Sequence, residues 1–127
     1  MLQRSKEWYD ARLGRFTASR ISELMGIKGL GLTGENYAFE LACEEVFGIE
    51  EDADFVSCDM QRGINLEPMA FEKFKLIKQL EFIDVQKCSF FAYGQNAGAS
   101  PDGLVNNDAI LEIKCPRSTK FFKLVKD

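Results

Sequence analysis

Apolar and polar residues alternate with two different periods along the 127 residues, a helical one first and a strand-like one later. Ser5 to Leu13 reads as a short helix with Trp8 and Leu13 apolar. Thr17 stands where it can cap a second helix from Ala18 to Met25, with Ile21, Leu24 and Met25 on one face and Gly26 ending it. Gly29-Leu30-Gly31-Leu32-Thr33-Gly34 reads as a flexible loop. A third helix is expected from Glu35 to Phe47, where Tyr37, Leu41, Ala42 and Val46 recur at helical spacing. Ser57 can cap a fourth, reaching Gln79. Pro68 inside it removes a backbone hydrogen bond, so this stretch is either one helix kinked beside Glu67 or two abutting helices. Beyond Gln79 the period shortens: Phe82–Val85, Cys88–Tyr93 and Ala109–Lys114 read as strands joined by turns rich in Gly and Asn. Residues 118–126 can begin another helix. Helices followed by a strand meander predict an α+β fold with a small mixed sheet, organised as a single domain over 1–127.

The last of these strands carries unusual chemistry. Side chains alternate faces along a strand, so Leu111 and Ile113 point one way while Glu112 and Lys114 point the other. The turn Ser100-Pro101-Asp102-Gly103 precedes it by about ten residues. Asp102 and Glu112 can hold a divalent cation, and Lys114 can sit against an attacking water or a scissile phosphate. That is the pattern of a metal-dependent phosphodiesterase. The same spacing also describes a turn aspartate beside a solvated strand face, and the triad alone leaves both readings open.

Composition narrows the choice. The chain has no histidine, which excludes Ser-His-Asp and Cys-His catalysis and leaves carboxylate oxygens as the available ligands. Oxygen-only ligation suits Mg²⁺ or Mn²⁺. The four cysteines, Cys43, Cys58, Cys88 and Cys115, include no Cys-x-x-Cys pair, so a zinc or iron–sulfur site is not expected and free, mostly buried thiols are. With no run of 18 apolar residues and no signal-like N-terminus, a soluble cytoplasmic protein without a membrane partner is expected. Net charge is −4, but unevenly spread: residues 1–28 hold six basic against three acidic residues, 114–127 five against one, and 29–113 five against sixteen. Basic ends around an acidic centre suit local contact with phosphates, or simply a solvated acidic helix face.

Thr17 and Ser19 lie at an expected helix start, where free N–H groups favour an anion, and Arg12 on the preceding helix can add a forked pair of donors. The plainer reading makes Thr17 a cap and Arg12 a surface charge. Trp8 is read as core, Arg15 and Arg20 as generic phosphate contacts, and Asp84 and Asp108 as turn residues.

Asp102, Glu112 and Lys114 together resemble the PD-(D/E)XK nuclease motif. Four blocks extend the likeness: Glu7-Trp8-Tyr9-Asp10-Ala11-Arg12-Leu13-Gly14-Arg15-Phe16-Thr17-Ala18-Ser19-Arg20, Arg62-Gly63-Ile64-Asn65-Leu66-Glu67-Pro68-Met69-Ala70, Ala99-Ser100-Pro101-Asp102-Gly103-Leu104 and Leu111-Glu112-Ile113-Lys114-Cys115-Pro116. In order and rough spacing they resemble the phage lambda exonuclease family, also called YqaJ-like viral recombinases, from about Trp8 to Phe122.

The resemblance implies a restriction-endonuclease-like core and a Mg²⁺- or Mn²⁺-dependent exonuclease. It would act on linear duplex DNA from the 5′ end, in phage-type recombination within a bacterial or phage-infected cell. Asp102 and Glu112 would be direct ligands, the backbone carbonyl of Ile113 a third, and Glu67 a further one that is otherwise an ordinary surface glutamate. Lys114 would orient or deprotonate the water, and Arg12, Thr17 and Ser19 would form a 5′-phosphate pocket. Double-stranded DNA ends, a single-strand-annealing protein and a homotrimer are the implied partners. Family members continue past this point with a long helix and further strands, so a C-terminally incomplete domain is expected. A catalytically inactive remnant that binds DNA ends or a recombination partner, and a PD-(D/E)XK endonuclease, are the alternatives. The Arg12, Thr17 and Ser19 block argues against the endonuclease.

Overall fold

Ser5 starts the first helix, its Oγ accepting the N–H of Trp8 at 3.3 Å, and α1 then runs Lys6–Arg12. In this computed structural model residues 3–48 and 56–126 are described. They form two units, one built from 3–48 and 89–100, the other from 56–88 and 101–126.

In the first unit, β1 (Phe16–Thr17) follows α1 directly and leads into a 3-10 helix, Ala18–Leu24. Thr17 occupies the cap position as expected but makes no side-chain cap bond. Its backbone N–H instead donates to the Tyr37 hydroxyl at 3.0 Å. α2 spans Leu32–Phe47, three residues longer at its start than the apolar spacing suggests. Gly34 gives the reason: a Cβ there would meet Leu30 Cδ1 at 2.3 Å and the Glu23 carbonyl at 3.1 Å. The glycine that reads as a loop marker is a close-packing residue inside the helix. β4 (Ala97–Ala99) pairs in parallel with β1 and antiparallel with β3 (Phe91–Tyr93). Trp8, Tyr37 and Leu41 form the core, as expected of Trp8, whose indole N–H donates to Ser100 Oγ at 2.9 Å.

In the second unit, α3 is one continuous helix, Cys58–Gln79, with Pro68 inside it, so two abutting helices are not found. Ser57 caps it through Oγ, which accepts Met60 N–H at 3.2 Å. Its other end closes with paired bonds, Phe82 N–H to the Gln79 carbonyl and Ile83 N–H to that of Lys78. This leaves Phe82 at φ +58°, where glycine is preferred, with its ring 98% exposed. Phe82→Gly is therefore expected to raise stability by about 1 kcal/mol, a gain readable as a higher urea midpoint.

β2 (Val85–Lys87), β5 (Gly103–Val105) and β6 (Ala109–Leu111) form an antiparallel sheet in the order β2-β5-β6. Asn106 and Asn107, both at positive φ, turn β5 into β6. Phe71, Val85 and Cys88 are buried, and α4 (Ser118–Lys126) follows.

The α+β class holds, but the strands differ from expectation. Two three-stranded sheets replace the single small mixed sheet, and β1 lies among the helices rather than after them. β2 begins where Phe82–Val85 was expected to end, β3 takes only the last part of Cys88–Tyr93, and β6 stops at Leu111 instead of Lys114. The described cysteines are free, yet Cys43 and Cys58 are exposed and only Cys88 is buried. Asp84 and Asp108 hold turns through backbone bonds to Asn106 and Val105. Among the described residues no helix is long and apolar enough to cross a membrane.

Candidate active site

β5 and β6 pair with Gly103 opposite Leu111 and Val105 opposite Ala109. The ladder ends at the first of these pairs, and Asp102 and Glu112 are the next residues beyond it. Asp102 also seals this end of the ladder: its N–H donates to the Leu111 carbonyl at 3.0 Å and its Oδ2 accepts the N–H of Ile113 at 2.5 Å. The chain beyond Leu111 keeps the expected alternation although the strand has ended. Glu112 and Lys114 are exposed and Ile113 half-buried, and Glu112 Oε1 accepts a hydrogen bond from Lys114 Nζ.

Glu67 comes from α3. Four residues on, Phe71 stands on the same face and is buried. A Cβ on Gly103 would meet Phe71 Cε2 at 2.9 Å and the Gln86 carbonyl at 3.0 Å. Only glycine beside Asp102 lets the helix come this close. The Lys114 ammonium registers the convergence. Its pKa is raised above the ordinary lysine value, first by the hydrogen bond to Glu112 and further by the charges of Asp102 and Glu67. Three carboxylates thus act on one ammonium, and the locus is net acidic. Among the described residues no three acidic or thiol groups are already drawn together tightly enough to hold an ion, and Glu112 is turned onto Lys114 instead. The donor chemistry nonetheless fits a hard divalent cation, since the ligands on offer are carboxylate and carbonyl oxygens around an excess of negative charge.

The N-terminal candidates gather only in part. Thr17 and Ser19 place their hydroxyl oxygens 3.3 Å apart, with Thr17 buried and Ser19 exposed. Arg12 stacks its guanidinium 3.9 Å above the Trp8 ring. Burial lowers its pKa, partly offset by Tyr37, the residue whose hydroxyl meets Thr17. Among the described residues Arg12 has no carboxylate partner in an ion pair, leaving a half-buried cation suited to an anion. Arg20 is committed elsewhere, forked onto both Glu23 and Glu40, and Arg15 Nη1 donates back to the Ala11 carbonyl. Both guanidiniums, read from the sequence as generic phosphate contacts, thus make bonds within the chain.

One cluster escaped the sequence reading. Arg117 holds the Asp59 carboxylate with both prongs, Nε to Oδ1 at 2.7 Å and Nη2 to Oδ2 at 2.6 Å. Arg62 Nη2 adds a contact to Oδ1 at 2.8 Å, while its Nε donates to the Cys115 carbonyl at 3.4 Å. Arg62 opens one motif block and Arg117 adjoins another, but nothing in their spacing identifies Asp59 as the shared acceptor. The two guanidiniums hold the Asp59 carboxyl down at about 2. A depressed carboxylate stabilises the fold above its unfolded pKa, near 3.8, and that contribution disappears as pH falls through 2. The difference in Tm between wild type and Asp59→Asn is accordingly expected to be present at pH 5 and to shrink toward pH 2.

The chain belongs to the YqaJ-like viral recombinase family, whose domain matches residues 7–127. Among solved structures it is similar to LHK-Exo, an alkaline exonuclease from Laribacter hongkongensis, at 33% identity and a TM-score of 0.78, covering 96% of this chain and 59% of that one. The structure of LHK-Exo in complex with dAMP is similar at 33% identity and a TM-score of 0.79, with the same coverage. The chain thus spans 59% of the length of these structures. No curated protein matches it.

Proposed function

We propose that this chain carries the hydrolytic centre of a divalent-cation-dependent exonuclease acting on linear duplex DNA. The observation that carries the reading is that Asp102, bound to the Ile113 N–H, and Glu112, hydrogen-bonded to Lys114, meet at the end of the β5–β6 ladder in a chain of this family. Asp102 through its second oxygen, Glu112, the Ile113 carbonyl and Glu67 would hold Mg²⁺ or Mn²⁺. Such an ion, when bound, lowers the pKa of water and neutralises charge on the phosphate. Glu112 would serve as one of its ligands, and the Lys114 ammonium, beside it, would donate to the attacking water or to a phosphate oxygen. Lys114 would orient or deprotonate the water and stabilise the charge that develops on the phosphate. The dAMP complex of LHK-Exo supports a mononucleotide as product.

Arg12, Thr17 and Ser19 form the proposed 5′-phosphate pocket and set the 5′-to-3′ direction. Arg12→Ala is expected to reduce the preference for 5′-phosphorylated over 5′-hydroxyl ends by about tenfold, the scale of one charge-assisted hydrogen bond. An unchanged preference, measured by initial rates on the two substrates, would remove the pocket. A trimer around DNA and an annealing protein that receives the single strand are the partners this reading implies.

Comparing nucleotide release from a linear duplex and from a closed circle of the same sequence tests the reading. Release from the linear form alone is expected. Cutting of the circle would make the chain an endonuclease, and tight binding of ends without release would make it a DNA-end-binding module.

A further inference from the structure

The segment bearing Glu112, Ile113 and Lys114 has little of its own to hold it. The ladder stops at Leu111, and regular structure resumes only at Ser118. Between them, the segment is restrained by the Ile113 N–H on Asp102 and by the contacts that α3 makes through Arg62, Asp59 and Arg117. α3 therefore meets the site-bearing chain at two separated points. Phe71 lies against Gly103, beside Asp102, and Asp59 and Arg62 near the start of the helix hold Arg117 and Cys115, just past Lys114. The two points are 12 residues apart, about 18 Å along the helix, and Glu67 lies between them.

We propose that Asp59 is a positioning residue: by holding Arg117 with both oxygens and drawing Arg62 toward the Cys115 carbonyl, it fixes Glu112 and Lys114 relative to Glu67. This rests on the hydrolytic reading given above. Asp59 and Arg117 are substantially exposed, at 44% and 65%, and ion pairs at such exposure contribute little to global stability. Loss of the clamp is therefore expected to leave the fold intact while loosening the ligand set. Outer partners of metal ligands typically alter metal affinity by about 10- to 100-fold, and Asp59 acts one link further out, through Arg117 and Arg62, so the lower end is expected.

The test is direct Mn²⁺ binding to the full chain, followed by the electron paramagnetic resonance signal of free Mn²⁺ at a temperature where circular dichroism shows each variant folded. Asp59→Ala is expected to weaken Mn²⁺ binding about tenfold, and Asp59→Glu to recover most of it. The double variant Asp59→Ala/Arg117→Ala should bind no more weakly than Asp59→Ala, because both changes remove the same pair. Folded Asp59→Ala that binds Mn²⁺ as tightly as wild type would overturn the positioning role and leave the hydrolytic site standing. Wild type that binds no Mn²⁺ would overturn the site and the clamp together. Were Asp59→Ala unfolded, Arg117→Lys, which keeps the charge but loses the fork, is held to the same criterion.

Discussion

Lys114→Ala is expected to lower the rate of nucleotide release from a linear 5′-phosphorylated duplex by about 10²- to 10⁴-fold, the usual range for removing a proton-donating group from a reacting centre. DNA affinity should stay close to wild type, because this side chain is 78% exposed and engaged with Glu112 rather than packed into the fold. The asymmetry is the informative part. If Lys114 were only one basic residue on a DNA-facing surface, its loss would weaken binding and steepen no chemical step. Parallel falls in rate and affinity would place it among general phosphate contacts.

Phe71→Ala is expected to cost about 3–5 kcal/mol, the range for emptying a buried aromatic site. Phe71 is 3% exposed and meets the chain where Gly103 has no side chain. Removing the ring leaves a cavity between α3 and β5 that the glycine cannot fill. Denaturant unfolding measures the loss, and a change below about 1 kcal/mol would mean that the two elements are held apart by something else. The ring also spaces Glu67 from Asp102, so any folded fraction of the variant should bind Mn²⁺ poorly.

Much of this was legible in the sequence, for reasons that can be named. Ser5 and Ser57 announce helix starts because their hydroxyls satisfy N–H groups that the helix itself leaves bare. Glu112 and Lys114 are exposed and hydrogen-bonded to each other, with Ile113 half-buried between them, although the strand ends at Leu111. Asp102 is brought to Glu112 and Ile113 by the pairing of β5 with β6, which no local pattern reveals. The misses have physical causes too. β4 is Ala97-Gly98-Ala99, with none of the branched or aromatic residues that mark a strand. Its glycine is there because a Cβ on Gly98 would strike the Phe90 ring at 2.1 Å. β1 is two residues long and exists only through its parallel partner, a non-local pairing that no local pattern encodes. The Asp59 clamp joins residues 58 positions apart, and a lone aspartate in the first turn of a helix looks like any other.

The decisive measurement is nucleotide release from linear duplex DNA by this chain as Mg²⁺ is raised from zero in the presence of a chelator. No release without free Mg²⁺, and release that rises with it in wild type but not in Asp102→Ala or Glu112→Ala, is the expected result. Release that persists without divalent cation, or that survives the loss of either carboxylate, would show that Glu67, Asp102, Glu112 and Lys114 are not the hydrolytic site.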